Sequence, residues 1–232
     1  MLSEKAFTAF ECGGRVAVWI FGGEKGTLIF QELLDYYKDR NFVKEDGNLE
    51  LIPNTIPTTK TLVKHGLKAC NKEQRLDEIT VFTEDYFSPF NLWTKKTVIT
   101  DNSYAMHLFK GAWFGDKSDE KFMGKVETFT DDFIKSKLTG TRFVIFGAGI
   151  LGHMVRDYVS KAYPDVSVEA FLVTCNDTGF SDIEGVPIYE IGNSCGLDQG
   201  LPVFIATVPK YHSEIIKALV SAGYRDVFAI GS

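Results

Sequence analysis

The sequence predicts an α/β protein in two parts joined by a helix, and three observations carry that expectation. The first is the stretch Arg142 to Val159, RFVIFGAGILGHMVRDYV, which reads as strand, glycine turn and helix. The second is the alternation of short apolar runs with amphipathic segments after residue 139, the pattern of a parallel sheet wound with helices. The third is a break in composition. Aromatic residues crowd the chain before residue 135, and the charged segment 116–138 separates residues 1–115 from residues 139–232.

In the first part Phe7 and Phe10 precede Glu11, and Arg15 to Phe21 (RVAVWIF) reads as a strand. Gly22, Gly23 and Gly26 break it, and Thr27 can cap a helix running to about Asp39. Leu28, Leu33, Leu34 and Tyr37 form its expected buried stripe, with Glu32, Asp35 and Lys38 outside. Residues 41–57 read as irregular: Asp46-Gly47 marks a turn, and Pro53 and Pro57 oppose a helix. A second helix is expected over Thr58 to Leu67, capped by Thr58 or Thr59. Ile79 to Phe82 reads as a short strand and Asp85 to Pro89 as a loop. Thr97 to Thr100 and Tyr104 to Phe109 read as strand or extended chain around Asp101-Asn102.

In the segment 116–138, Phe122, Val126, Phe129, Phe133 and Ile134 recur at helical spacing, the mark of an amphipathic linker helix. After Gly140 comes Phe143 to Phe146, an uninterrupted apolar run suited to a strand buried on both faces. Gly147, Gly149 and Gly152 then supply G-x-G-x-x-G: a tight turn, a close approach for a ligand, and close packing of helix on strand. Ile150, Leu151, Met154, Val155, Tyr158 and Val159 give the following helix one apolar face. Further strands are expected at Val168–Val173, Val203–Ala206 and Val227–Ile230, with a helix at Ser213–Ala222. Together they imply a small, doubly wound Rossmann-like sheet of about four or five strands. The three glycines are its nucleotide-binding candidates, because a phosphate above the turn would meet the free N–H groups of the helix.

NAD or another nucleotide fits that turn. The position ~20 residues on, where an acidic residue would meet ribose hydroxyls, holds Thr174, Cys175 and Asn176, with Asp177 arriving late. Tyr158 is followed by Val159, Ser160, Lys161 and Ala162, so no Tyr-x-x-x-Lys dyad exists and hydride transfer is disfavoured. His153 and His212 stand either at the ligand crevice or as solvated helix-start residues.

A net charge of −6 and a pI near 5.3 give no basic surface for nucleic acid or anionic membrane. No apolar run reaches the ~18 residues of a membrane span, and MLSEKAFTAFE lacks the layout of a signal peptide. Cys12, Cys70, Cys175 and Cys195 are widely spaced, which favours reduced thiols in a cytoplasmic protein over zinc or disulfides.

Residues 7 to 115 resemble the C-terminal portion of bacterial glycosyltransferases of the Och1-like, DXD-containing family (family 32), which includes many capsular polysaccharide enzymes. The ordered pieces are Phe7–Glu11, Phe21–Gly26, Leu33–Tyr37, Asn54 with Thr58–Gly66, Ile79–Phe82, Asp85–Pro89, Ser103–His107 and Ala112-Trp113. The resemblance implies part of a GT-A fold and retaining transfer from a nucleotide-sugar to a glycan acceptor. It also implies Mn or Mg on the donor diphosphate, where leaving-group charge develops. By the same resemblance His107 stands near metal and diphosphate, against the alternative of a structural histidine in an apolar strand. Trp113 would lie over the diphosphate, with Ala112 where the family has serine, against the alternative of plain packing. Glu11 would stand on the acceptor side, against the alternative of an exposed glutamate after a strand, and Asn54 makes a turn or a sugar contact. No catalytic residue is assigned.

The chain contains no Asp-x-Asp; its nearest acidic pairs, Asp131-Asp132 and Asp182-Ile-Glu184, fall in other segments. The expectation is therefore an N-terminally truncated transferase region, with residues 1–115 dependent on a protein partner or self-association. Residues 141–232 resemble the small Rossmann-like domains beside polysaccharide-biosynthesis enzymes. That likeness is carried by Phe146–Gly149 with Gly152, Ala170–Val173, Ile183–Ile188 and Ala222–Tyr224. The function expected is thus a glycosyltransferase-like protein of capsular or cell-surface polysaccharide synthesis; the alternative is a non-catalytic nucleotide- or sugar-nucleotide-binding module. Either would sit in the cytoplasm or at the inner face of the membrane through partners.

Overall fold

The computed structural model describes residues 3–11, 14–50, 52–91, 95–108, 124–193 and 196–231. The chain is α/β with mixed sheets and, among the described residues, five α-helices. It divides into two compact units. One comprises Met1–Asn91, Thr97–Leu108 and Asp177–Phe180; the other comprises Leu92–Lys96, Phe109–Asn176 and Ser181–Ser232. No described helix is long and apolar enough to cross a membrane.

In the first unit the central strand is β1 (Ala6–Glu11), which the sequence reading did not assign. It pairs antiparallel with β2 (Arg15–Val16) and β3 (Gly22–Gly23). On its other side it runs parallel to β5 (Thr80–Phe82), which in turn pairs antiparallel with β4 (Gln74–Arg75). The strand expected over Arg15–Phe21 is therefore only two residues long. After Ala17 N–H donates to Ala9 O (2.8 Å), the chain bulges away from β1 around Thr8, whose hydroxyl faces the carbonyls of Ala17 (2.9 Å) and Ile20 (3.1 Å). The bulge lays Trp19 and Ile20 on the cluster of Ala9, Phe82 and Phe87, beside Phe7, Tyr86 and Ala105.

Helix α1 (Leu28–Tyr37) lies where it was expected, but its buried face is rotated. Ile29 is buried, while Leu28, Leu34 and Tyr37 are exposed. Helix α2 (Thr55–Lys64) starts before Pro57 instead of after it. Pro57 is the third helical residue, where the backbone N–H has no intrahelical partner to lose. Thr59 serves inside this helix rather than at its cap, its Oγ1 accepting the Val16 N–H at 3.0 Å. Residues 97–108 contain no ladder strand: Thr97 bridges Phe90, and Tyr104, Ala105 and His107 donate their N–H groups to Tyr86 and Phe87 carbonyls.

The second unit is a six-stranded sheet in the order β11-β10-β6-β7-β9-β8. Its strands are β6 (Arg142–Phe146), β7 (Ser167–Val173), β8 (Asp182–Ile183), β9 (Val186–Glu190), β10 (Val203–Ile205) and β11 (Val227–Ala229). All pairings are parallel except β8 on β9. Phe143, Val144 and Ile145 are fully buried, as an apolar run in a parallel interior strand requires. The hairpin β8–β9 exceeds the expected strand count; it turns at Glu184-Gly185, both at positive φ, with Asp182 Oδ1 accepting the Gly185 N–H at 3.0 Å.

Three helices belong to this unit: α3 (Val126–Ser136), α4 (Ile150–Ala162) and α5 (His212–Ser221). Helix α3 is the amphipathic helix expected in the segment 116–138, and it packs into the core of this unit. Phe133 is 2% exposed and stacks on Phe204 at 4.5 Å, with Phe143 edge-on at 5.2 Å.

Candidate functional site

The glycine turn joins β6 to α4 at the carboxyl end of the central strand, between β7 and β10. Strand β6 connects onward to β7 on one side, and β10 lies on the other, so the strand order reverses here, at the kind of point where open α/β sheets hold ligands. Gly147 has φ +109, which a side chain rarely tolerates, and a Cβ there would meet Ala206 O at 3.0 Å. A Cβ on Gly152 would sit 1.9 Å from Gly147 O, so only glycine lets α4 cross this close to the turn. Gly149 differs: a Cβ there would meet nothing within 4 Å. Packing explains the first and third glycines and leaves the second facing open space. The first bond of the α4 ladder runs from His153 N–H to Gly149 O (3.0 Å), so the N–H groups ahead of it have no helical acceptor.

Around this turn the structure adds Thr207 and Glu190, which the sequence pattern did not single out, to His153 and His212, which it did. Thr207 follows β10, and its methyl would lie 3.1 Å from a Gly147 Cβ. Its hydroxyl is shielded from solvent and has no hydrogen-bond partner among the described residues. His212 turns its Nε2 to the Thr207 carbonyl at 2.7 Å, which engages that nitrogen as a donor. His153 stacks on Phe171 with ring centroids 6.3 Å apart. Beyond β7, the Asn176 N–H donates to Glu190 Oε1 at 2.8 Å, so a carboxylate from β9 reaches the segment that follows β7. Two shallow depressions lie elsewhere. One, of about 310 Å³, is lined by Arg156, Val159, Pro164 and Val168, and one of about 230 Å³ by Phe129, Phe133, Phe204 and Phe228.

In the first unit, Glu11 ends β1 opposite Arg15. Burial raises its carboxyl to about 7, although the Arg15 charge pulls it down. Strand alternation puts Glu11 on the same face of β1 as Phe7 and Ala9, the face that carries Phe82, Phe87 and Trp19. His107 reaches that cluster through a period-two pattern: Ser103, Ala105 and His107 are half-buried, while Tyr104, Met106 and Leu108 are exposed. Its ring lies 4.9 Å from Trp19, and burial lowers its pKa, keeping the imidazole neutral at pH 7.

Asp85 pins this segment. Burial works against its charge, yet Thr100 (2.6 Å) and Thr83 donate to its carboxylate and hold the pKa below the usual range. Ser103 Oγ also donates to the Asp85 carbonyl at 2.7 Å. Trp19 Nε1 and Ser88 Oγ are buried without a partner among the described residues. Trp113 lies outside the described residues. Among those described, no three His, Cys, Asp or Glu side chains stand together as cation ligands, and His107 lies against the Trp19 indole ring.

Comparisons of the chain with family models, with curated proteins and with solved structures return no match.

Proposed function

We propose that this chain is a nucleotide-binding protein of sugar-nucleotide chemistry, in which the second unit is a Rossmann-like module holding the diphosphate of its ligand over the glycine turn. One observation carries the reading: packing demands glycine at 147 and 152, whereas at 149 the space beside the backbone is open. That arrangement gives phosphate oxygens room against backbone N–H groups at a helix start. Gly149 and the first turn of α4 would hold the phosphates, and the Thr207 hydroxyl, which has no hydrogen-bond partner among the described residues, stands at the adjacent strand end. The nucleotide supplies the charged handle; the chain's own residues bind and orient it.

Calorimetric titration of the whole protein with ADP, GDP, UDP, NAD and UDP-sugars tests this. Saturable binding that Gly149→Val abolishes, with folding unchanged, supports the reading. Silence from every nucleotide rejects it.

A second reading is that the first unit is a GT-A-type region handling the sugar in polysaccharide synthesis, as its resemblance implies. Its support is the face of β1, where Glu11 shares a surface with aromatic rings and the buried polar atoms of Trp19 and Ser88 have no partner among the described residues. Sugars present C–H faces to rings and hydroxyls to such groups. A carboxyl with a pKa near 7 can give or take a proton at neutral pH. Turnover of a nucleotide-sugar by the wild type and its loss in Glu11→Gln would favour this reading; equal rates in the two proteins would remove Glu11 from it.

A further inference from the structure

Dinucleotide-binding sheets place a carboxylate at the end of the second strand, where it accepts the ribose hydroxyls. Strand β7 occupies that place here, and Thr174, Cys175 and Asn176 follow it without an acid. The neighbouring strand makes up the difference. Glu190 ends β9 in register with Val173, the last residue of β7. Neighbouring strands stand ~4.8 Å apart, and a glutamate side chain can cover that distance. It does so here, because Glu190 Oε1 accepts the Asn176 N–H at 2.8 Å, three residues past the end of β7. One carboxylate oxygen is thereby fixed over the β7 end. Glu190 is exposed, and its other oxygen makes no hydrogen bond or ion pair among the described residues.

We infer that Glu190 is the ribose-selecting residue of this site, delivered from β9 instead of β7. Its free oxygen accepts hydrogen bonds from the 2′- and 3′-hydroxyls of a ribonucleotide. The Asn176 amide holds the carboxylate in place, so little side-chain freedom is lost when the ligand arrives. A 2′-phosphate would bring two or so negative charges against this carboxylate and is rejected. The ligand class is therefore a ribonucleoside diphosphate, or a conjugate of one, with an unmodified ribose diol. This rests on the nucleotide reading of the glycine turn.

The test titrates the whole protein with ADP, GDP and UDP and with their 2′-deoxy counterparts, and compares NAD with NADP. A hydrogen bond to a charged group contributes about 1.5–3 kcal/mol, so removing the 2′-hydroxyl is expected to weaken binding by about ten- to a hundredfold. In Glu190→Ala that ratio falls to near one, because ribose and deoxyribose then meet the same surface. Glu190→Gln, which retains an acceptor for the Asn176 N–H, keeps part of the preference and begins to admit NADP. If ribo- and deoxyribonucleotides bind the wild type equally, Glu190 only caps the loop after β7 and the inference fails, while the nucleotide reading stands. If no nucleotide binds, both fall.

Discussion

Glu11 ends its strand with a carboxyl that burial raises from 4.5 to about 7. The unfolded chain ionises near 4.5, whereas the folded chain keeps the proton up to about 7. Between those values the folded state binds more protons, so stability falls as pH rises through the window and stays lower above it. Such a shift corresponds to at most about 3 kcal/mol. Glu11→Gln removes the dependence, so urea midpoints at pH 5 and pH 8 should differ in the wild type and converge in the variant. A wild-type midpoint that stays level from pH 5 to 8 would mean that Glu11 is solvated. At the turn, two glycines should behave oppositely. Gly152→Ala forces the Gly147 carbonyl aside from 1.9 Å and should cost about 1–3 kcal/mol of stability through overpacking. Gly149→Ala should cost far less, since its Cβ meets nothing within 4 Å, and should show itself in nucleotide affinity. Denaturant curves of the two variants check this; equal losses would mean that position 149 is a packing glycine too.

Helices α3 and α4 are joined by one carboxylate. Asp131 accepts from Lys135 (2.6 Å) on its own helix, and from Tyr163 (2.6 Å) and Tyr158 (2.7 Å). These bonds lower its pKa to about 2, and the same cluster pushes the Tyr158 phenol up to about 12. The sign is the reverse of that for Glu11. The contribution is present above the ordinary value of 3.8 and is lost as pH falls through about 2. Acid titration of α3 helicity should therefore show a step between about pH 4 and pH 2 that Asp131→Asn lacks. Loss of α3 at the same pH in both proteins would assign the acid transition to other carboxylates.

The two tyrosine bonds of this clamp were not legible in the sequence, because they form only once α3 and α4 pack; the Asp131–Lys135 pair lies within one helix. The strands of the second unit were legible at Phe143–Phe146, Val168–Val173, Val203–Ala206 and Val227–Ile230, because each carries apolar residues that the sheet buries, Phe143–Phe146 and Ala170–Leu172 most completely. Strand β1 was missed because its exposed-to-buried alternation is interrupted: Thr8 is buried with its hydroxyl turned to the bulge. The stripe of α1 was misassigned because helical spacing fits both Ile29 and Leu34, and only the fold decides which side is covered. Among candidate site residues, the glycine turn was readable from local spacing. Glu190 was not, since its place beside Val173 follows from a parallel pairing of distant segments.

At the scale of the molecule the two units differ in how they close. The first exposes Phe21 (56%), Leu34 (66%) and Tyr37 (47%), and its strands β2, β3 and β4 are two residues each. Yet Phe10, Phe82 and Phe87 are buried, so this unit has a core of its own. Hydrogen exchange should be slow at Ala17, bonded to Ala9 at 2.8 Å, and fast from Val18 to Ile20, where the chain leaves the ladder. In the second unit α3 packs Phe133 against Phe143, Phe204 and Phe228. A fragment of residues 139–232, cut at the composition boundary, loses that ring and the Asp131 clamp. Removing a buried phenylalanine costs about 3–5 kcal/mol, against a domain stability of ~5–15 kcal/mol. A fragment of residues 124–232 should therefore melt cooperatively, whereas 139–232 should melt far lower or bind hydrophobic dye without a sharp transition. Equal melting temperatures for the two would show that α3 rests on the sheet without stabilising it, and that the boundary at 139 is the structural one.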